Sequence, residues 1–174
     1  MEIVIREAEH LDIDDLTSYF IDNLRRHPEY ISHGEIQMGV GVASYDKSGA
    51  FKGEPSPEAE LMWRRYITEK VSSADAVVYI AEDGDKRWLG FTVVDIEEDG
   101  ASPFGMICDL LVFPENRTAG VGTELLKHGM AWLRNRGVED VYLESGKDNH
   151  AAHHYFEHRG FEHVSNIYKL KVSL

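Results

Sequence analysis

The period of apolar and polar positions changes several times along the chain, and each change marks an element. IVIREA, residues 3–8, alternates as a half-buried strand does; over residues 12–26 the period lengthens and Leu16, Phe20 and Leu24 share one helical face. Between residues 27 and 57 the pattern weakens. GEIQMGVGVA is apolar but broken by glycine, and DKSGAFKGEPSP is dense in turn residues, so this stretch reads as a lid, a binding segment or a disordered loop. Helical spacing resumes over residues 57–71, with Ser56 as the expected cap and Leu61, Arg65 and Thr68 marking the repeat.

The second half is more regular. AVVYIAE (76–82) and WLGFTVVDIEE (88–98) are expected strands, joined by the turn chemistry of DGDKR into a hairpin. After EDGASP, the segment FGMICDLLVF (104–113) is apolar almost throughout, as a central strand covered on both faces would be. Residues 120–136 read as a helix through Val121, Leu125, Trp132 and Leu133, with Gly137 as its stop. A strand EDVYLES (139–145), a helix over 149–159 closed by Gly160, and a final alternating strand NIYKLKV (166–172) complete the chain.

Composition narrows the class. The 174 residues fit one domain that can bury a core without disulfides or metal, and the single cysteine, Cys108, forms no internal disulfide. No apolar run reaches the roughly 20 residues of a membrane span, and the opening residues lack the pattern of a secretory signal, so a cytoplasmic protein is expected. Eighteen Lys and Arg against 31 Asp and Glu give a net charge of −13, which argues against nucleic acid and anionic membrane and favours a cationic partner.

The chemistry concentrates at PENRTAGVG, residues 114–122, between the apolar strand and the helix that follows it. There the first unpaired N–H groups of the helix and the positive end of its dipole point outward, a natural anion site. Gly120 and Gly122 would let a ligand approach the backbone, and Arg117 adds a cation. Two other phosphate loops do not fit. A dinucleotide fingerprint needs a small residue where Leu125 stands, and no glycine is followed by Lys and Ser or Thr.

Arg117-x-x-Gly120-x-Gly122 resembles the signature of the GNAT superfamily of N-acetyltransferases. DLLVFPENRTAGVGTELL is similar to that family's strand, loop and helix, and NHAAHHYFEHRGF to its downstream Asn-x-x-Ala, aromatic and Gly-Phe block. The resemblance implies one mixed α/β domain over 1–174, with an acceptor-side part (1–75) and an acetyl-CoA-binding core (76–174). Its sheet would be mostly antiparallel with one splayed parallel strand pair, flanked by about four helices. It further implies that the N–H groups of Thr118, Ala119, Gly120, Val121, Gly122 and Thr123 hold a pyrophosphate beside Arg117. Leu111 and Val112 would pair with the pantetheine arm, Asn149 would hydrogen-bond it, and Phe156 would face the cofactor.

The implied reaction is acetyl transfer from acetyl-CoA to a primary amine of a small molecule or peptide, by direct attack; a non-catalytic acetyl-CoA sensor or interaction domain is the alternative. Monomer and homodimer both fit. The resemblance implies a carboxylate base on this strand, since only a neutral amine attacks, and Asp109 is the candidate, although Cys108 stands where many members carry Glu; the alternative is an aspartate that caps or orients a loop. The family's phenolic acid stands seven residues after the asparagine, where this chain has Phe156; Tyr155 is the nearby phenol. It points away from the sulfur unless the helix is one residue out of register. Acceptor walls are expected from the first two helices, from residues 27–57 with Glu29, Tyr30 and Glu35, and from the hairpin near 98–104, with Glu97 and Glu98 at its edge. Cys108 reads as an inert buried thiol and His150, His154 and His158 as a solvated helix face, so no metal is assigned.

Overall fold

A computed structural model describes residues 2–98, 102–170 and 172. Five strands form one sheet in the order β1 (Val4–Glu7), β4 (Ala76–Glu82), β5 (Trp88–Glu98), β6 (Pro103–Val112) and β7 (Val141–Leu143). Neighbours are antiparallel except β6 and β7, which are parallel over Gly105–Val141, Met106–Tyr142 and Ile107–Leu143. Five α-helices accompany them among the described residues: α1 (Ile13–Arg26), α2 (His33–Gln37), α3 (Ala59–Ser72), α4 (Val121–Arg134) and α5 (His150–Glu157). None is long and apolar enough to cross a membrane.

The sheet is covered on both faces, which is why its central strands lack a polar side. Along β4, Val78 and Ile80 face α1 and α3, while Val77 and Ala81 face α4. The first layer centres on Trp63, fully buried and stacked on Phe20 at 4.4 Å between centroids. Truncating such a residue to alanine typically costs about 3–5 kcal/mol. On the other face Val121, Leu125 and Leu133 bring α4 down on the sheet. Gly137, at φ +75°, closes that helix as expected.

The segment 27–57 is built rather than loose. Ser32 and Glu35 form a capping box that starts α2, and β2 (Gly41–Tyr45) pairs with β3 (Phe51–Pro55) as a separate antiparallel hairpin. Its glycines, which obscured the strand period, make room for Ile31: a Cβ at Gly41 would lie 2.7 Å from Ile31 Cγ2, and one at Gly53 2.6 Å from Ile31 Cβ. On α3 the sequence repeat marked the wrong face. Leu61, Arg65 and Thr68 are not buried; the inward residues are Ala59, Trp63 and Ile67. Nor does Ser56 cap this helix, since its hydroxyl donates to the Gly39 carbonyl at 2.5 Å.

Two strand expectations need correction. EDVYLES pairs only over Val141–Leu143, because Glu144 turns out of the sheet to accept from the Gly34 N–H at 2.8 Å. NIYKLKV forms no strand among its described residues; 162–170 run exposed and outside any regular element. Residues 99–101 of the 98–104 turn lie outside the described residues.

The Ile31 wedge gives a direct test. Gly53→Ala should destabilise the protein by about 1–3 kcal/mol through overpacking. The Gly53→Ala/Ile31→Ala double variant should lose clearly less than the sum of its two single variants in urea unfolding. Simple additivity would show that the two residues do not share the contact.

Candidate active site

The parallel pairing of β6 and β7 stops after Ile107 and Leu143. On the other side β6 stays paired with β5, but with a one-residue bulge: Val93 faces Asp109 and Val94 faces Ile107, leaving Cys108 as the extra residue. From Cys108 to Val112 the edge of β6 that faced β7 is therefore without a strand partner among the described residues. This is the splay implied by the sequence, and the bulge sits at its start.

Beyond β6 the chain turns through Pro114–Asn116 into α4, with Gly120 as N-cap at φ +85°. The Glu124 N–H, bonded to the Gly120 carbonyl, is the first satisfied within the helix, so those of Val121, Gly122 and Thr123 are free of backbone partners among the described residues. Nothing lies within 4 Å of where a Gly120 Cβ would stand, so the cradle is open there. Gly122 differs from the sequence reading. A Cβ on it would meet Tyr155 Oη at 2.9 Å and Val112 Cγ2 at 3.3 Å, so a side chain here would have to displace Tyr155. Thr118 holds φ +69°, a left-handed conformation that is unusual for a β-branched residue. The Ala119 N–H is already turned back to the Asn116 carbonyl at 3.4 Å.

Arg117 reaches across the gap. Its Nε donates to the Val112 carbonyl at 3.4 Å and its Nη2 to Tyr30 Oη at 3.3 Å, and Tyr30 stacks on His27 at 4.8 Å. Tyr30 is thus brought to the turn. Glu29 faces His27 at 3.0 Å and lines a cavity of about 190 Å³ with Pro28, Ile31, Lys147 and Asp148. Asn149 caps α5, its Oδ1 accepting from the Ala152 N–H at 3.2 Å, which leaves its side-chain N–H donors free of protein partners among the described residues.

Asp109 is the centre of the polar chemistry. Tyr66 of α3 donates to Asp109 Oδ2 at 2.9 Å, an interaction the sequence reading missed, although Trp63, Ile67 and Lys70 at i, i+4 and i+7 marked the inward face that Tyr66 flanks. Burial pushes the Asp109 carboxyl up to about 7, the nearby Glu35 carboxylate adds to the rise, and Tyr66 opposes it. Glu35 itself accepts from the Ser32 N–H at 2.6 Å and Oγ at 2.5 Å. Burial, then the Asp109 charge, pushes the Cys108 thiol up to about 12, so it stays protonated and unreactive at neutral pH. Lys70 is committed to Asp95 and does not bond Asp109.

On α5, Tyr155 and Phe156 take different surroundings. Tyr155 lies under the first turn of α4, with the Arg159 guanidinium 3.6 Å over its ring and Arg159 Nη2 donating to Thr123 Oγ1 at 2.7 Å. Its hydroxyl is enclosed and without a hydrogen-bond partner among the described residues. Phe156 packs on Phe161 with centroids 5.4 Å apart. His150, His154 and His158 lie exposed along the helix, and Glu97 and Glu98 are exposed at the end of β5, beyond the Val93 that faces Asp109.

The comparisons agree with this geometry. An aminoglycoside N(6')-acetyltransferase type 1 of Stenotrophomonas maltophilia is 26% identical over 113 residues, 62% of this chain and 74% of the relative. The N-alpha-acetyltransferase 30 of Schizosaccharomyces pombe is 30% identical over 93 residues, 52% of this chain and 61% of the relative. Among solved structures, a predicted acetyltransferase with acetyl-CoA from Clostridium acetobutylicum matches with a TM-score of 0.69 at 18% identity, covering 98% of this chain and 96% of that one. An aminoglycoside antibiotic 6'-N-acetyltransferase from Acinetobacter baumannii matches with a TM-score of 0.66 at 13% identity, covering 99% of each chain. The model of the Acetyltransferase (GNAT) family matches residues 43–161, from the β2–β3 hairpin to the end of the Gly-Phe block. With a sheet that parts beside a glycine turn and a family match over more than half its length, the chain belongs to the GNAT family of acetyltransferases.

Proposed function

We propose that this protein moves an acetyl group from acetyl-CoA to a primary amine of a small molecule or peptide, with Asp109 as the base. The observation that carries this reading is the Asp109 carboxyl, held by Tyr66 at the bulge where β6 leaves β7. It lies three residues before the strand edge that runs into the glycine turn.

The residues present fit the cofactor. The free N–H groups of Val121, Gly122 and Thr123, together with the positive end of α4, suit a pyrophosphate. The edge at Leu111 and Val112, left without a strand and met only by Arg117 at the Val112 carbonyl among the described residues, suits the amides of an extended arm, and Asn149 has N–H donors to add. When bound, acetyl-CoA supplies a thioester, an acyl group that a neutral amine attacks without a protein nucleophile.

The amine arrives as an ammonium and must lose a proton before attack. Tyr66 occupies Oδ2 of Asp109, leaving Oδ1 to receive that proton. A carboxyl shifted to about 7 is matched to this task, since at neutral pH a substantial fraction is ionised yet still basic. Glu35 adds a second negative charge near Asp109 and favours a cationic acceptor, as the net charge of −13 does at longer range. Tyr155 is given no proton to transfer. Its hydroxyl is enclosed beneath α4, and the proton lost by the amine or one from water can reach a departing thiolate.

The test is release of CoA thiol with a panel of aminoglycosides, peptide N-termini, polyamines and amino acids; acetyl-CoA binding with no turnover on any amine would favour a sensor instead. Asp109→Asn should lower kcat/KM by roughly 10²–10⁴-fold and abolish the limb of the pH profile near 7. Tyr66→Phe removes a donor that favours the ionised carboxylate, so that limb should move to higher pH, with the largest loss below neutrality. An unshifted limb would remove Asp109 and Tyr66 from the proton path.

Tyr155→Phe should lower kcat by less than about tenfold, below what a true general acid contributes. It should leave stability unchanged or improved, since it deletes a buried hydroxyl with no partner. A hundredfold fall in kcat at unchanged acetyl-CoA affinity would make Tyr155 the acid.

A further inference from the structure

α3 sets two polar side chains against the sheet one turn apart, and each meets a carboxylate. Tyr66 donates to Asp109 Oδ2 on β6 at 2.9 Å, and Lys70, four residues on, is paired with Asp95 Oδ2 on β5. The two carboxylates share a face of the sheet. Val93, which faces Asp109 across the strands, and Asp95 are alternate residues of β5, and the extra residue of the bulge lies on β6. The Lys70–Asp95 pair is largely out of water, its side chains 17% and 9% exposed. Asp95 is fully engaged there, because its Oδ1 accepts from the Ile96 N–H at 2.8 Å.

A buried ion pair adds little net stability over apolar side chains of similar volume, so its place here calls for another reason. Lys70 is a cation that acts on Asp109. Burial and then Glu35 of α2 raise that carboxyl, and Tyr66 and Lys70 of α3 oppose them. Cys108, next along β6, stays protonated and brings no charge. Lys70 Nζ lies 5.6 Å from the centre of the Tyr66 ring, whose hydroxyl is on Asp109. The ammonium therefore stands beside the donor that serves Asp109, and Asp95 is the partner that draws it to β5.

We propose that Asp95 is a positioning residue: it holds the Lys70 ammonium on β5, so that Asp109 is left to a neutral donor and stays basic enough to take a proton from the amine. Without that hold the ammonium would turn to Asp109, whose Oδ1 is left open by Tyr66, and an ion-paired carboxylate is a poor proton acceptor. The inference rests on the reading of Asp109 as the base. It adds that a second carboxylate, on the neighbouring strand, sets how strong that base is.

A pH titration followed by carbon NMR on the full chain, with isotope-labelled aspartate carboxyls, tests it; the Asp109 signal is the one lost in Asp109→Asn. Asp95→Asn keeps the shape and the bond from Ile96 but not the charge, and should move the Asp109 midpoint down by about 1–3 pH units. Adding Lys70→Met to it should cancel that fall, since the ammonium that causes it is gone. The limb of the kcat/KM profile should move with the midpoint in each variant. Lys70→Met alone should move the midpoint up, which keeps the test open should Asp95→Asn not fold. An Asp109 midpoint that these variants leave unmoved, or one that falls as far in the double variant as in Asp95→Asn, would overturn the proposal. The titration needs no turnover, so midpoints that move as expected in a protein that releases no CoA thiol with any amine would overturn the proposed reaction while leaving the hold of Asp95 on Lys70 in place.

Discussion

The backbone of β6 must be paired on both sides or find something else to bond, and it is paired on both sides only up to Ile107. That constraint organises the rest of the molecule. β5 continues to hold one edge through Val112, so the strand cannot bend away as a loop; the other edge loses β7 after Leu143. A buried strand with a row of free N–H and C=O groups is costly unless a ligand takes the place of the missing strand. The bulge at Cys108 re-aims the side chains at the point of parting, and Asp109 is the residue placed there.

Charge is arranged around the same point. Asp109 is half-buried, near the carboxylate of Glu35, and its bonded neutral donor is Tyr66 rather than a cation. Lys70, the one lysine of α3, is held by Asp95. A lysine bonded directly to Asp109 would keep the carboxylate ionised and weakly basic; a phenol orients it and leaves it able to accept a proton. At the other end of the splay the positive groups gather: the dipole of α4, Arg117 on the Val112 carbonyl, and Arg159 on Thr123. One gap therefore runs from a proton acceptor to an anion cradle.

Most of this scaffold was legible in the sequence where the period was strong and the element long. α1, the β4–β5 hairpin, the apolar β6 and α4 with its glycine turn all follow from local pattern, because burial on one or two faces fixes which positions are apolar. What was hidden depends on contacts distant in sequence. The glycines at 41 and 53 look like breaks until Ile31 is seen to fill the space beside them. Tyr66 looks like a surface residue of a polar helix, and only the β5–β6 bulge brings Asp109 under it. Gly122 reads as a ligand's clearance, and the room it leaves beside Tyr155 is not visible in the sequence; the last strand-like segment lacks a strand partner among the described residues.

The central claim is that an extended amide-bearing ligand replaces the missing strand beside β6, with its anionic end on α4. Amide chemical shifts during a titration of isotope-labelled protein with CoA test this most directly, because they report each N–H without relying on turnover. The account predicts the largest shifts at Val121, Gly122 and Thr123 and a second group along 109–112, with the β2–β3 hairpin little affected. Shifts confined to the hairpin or to the outer face of α3, with the glycine turn and the end of β6 unmoved, would contradict it.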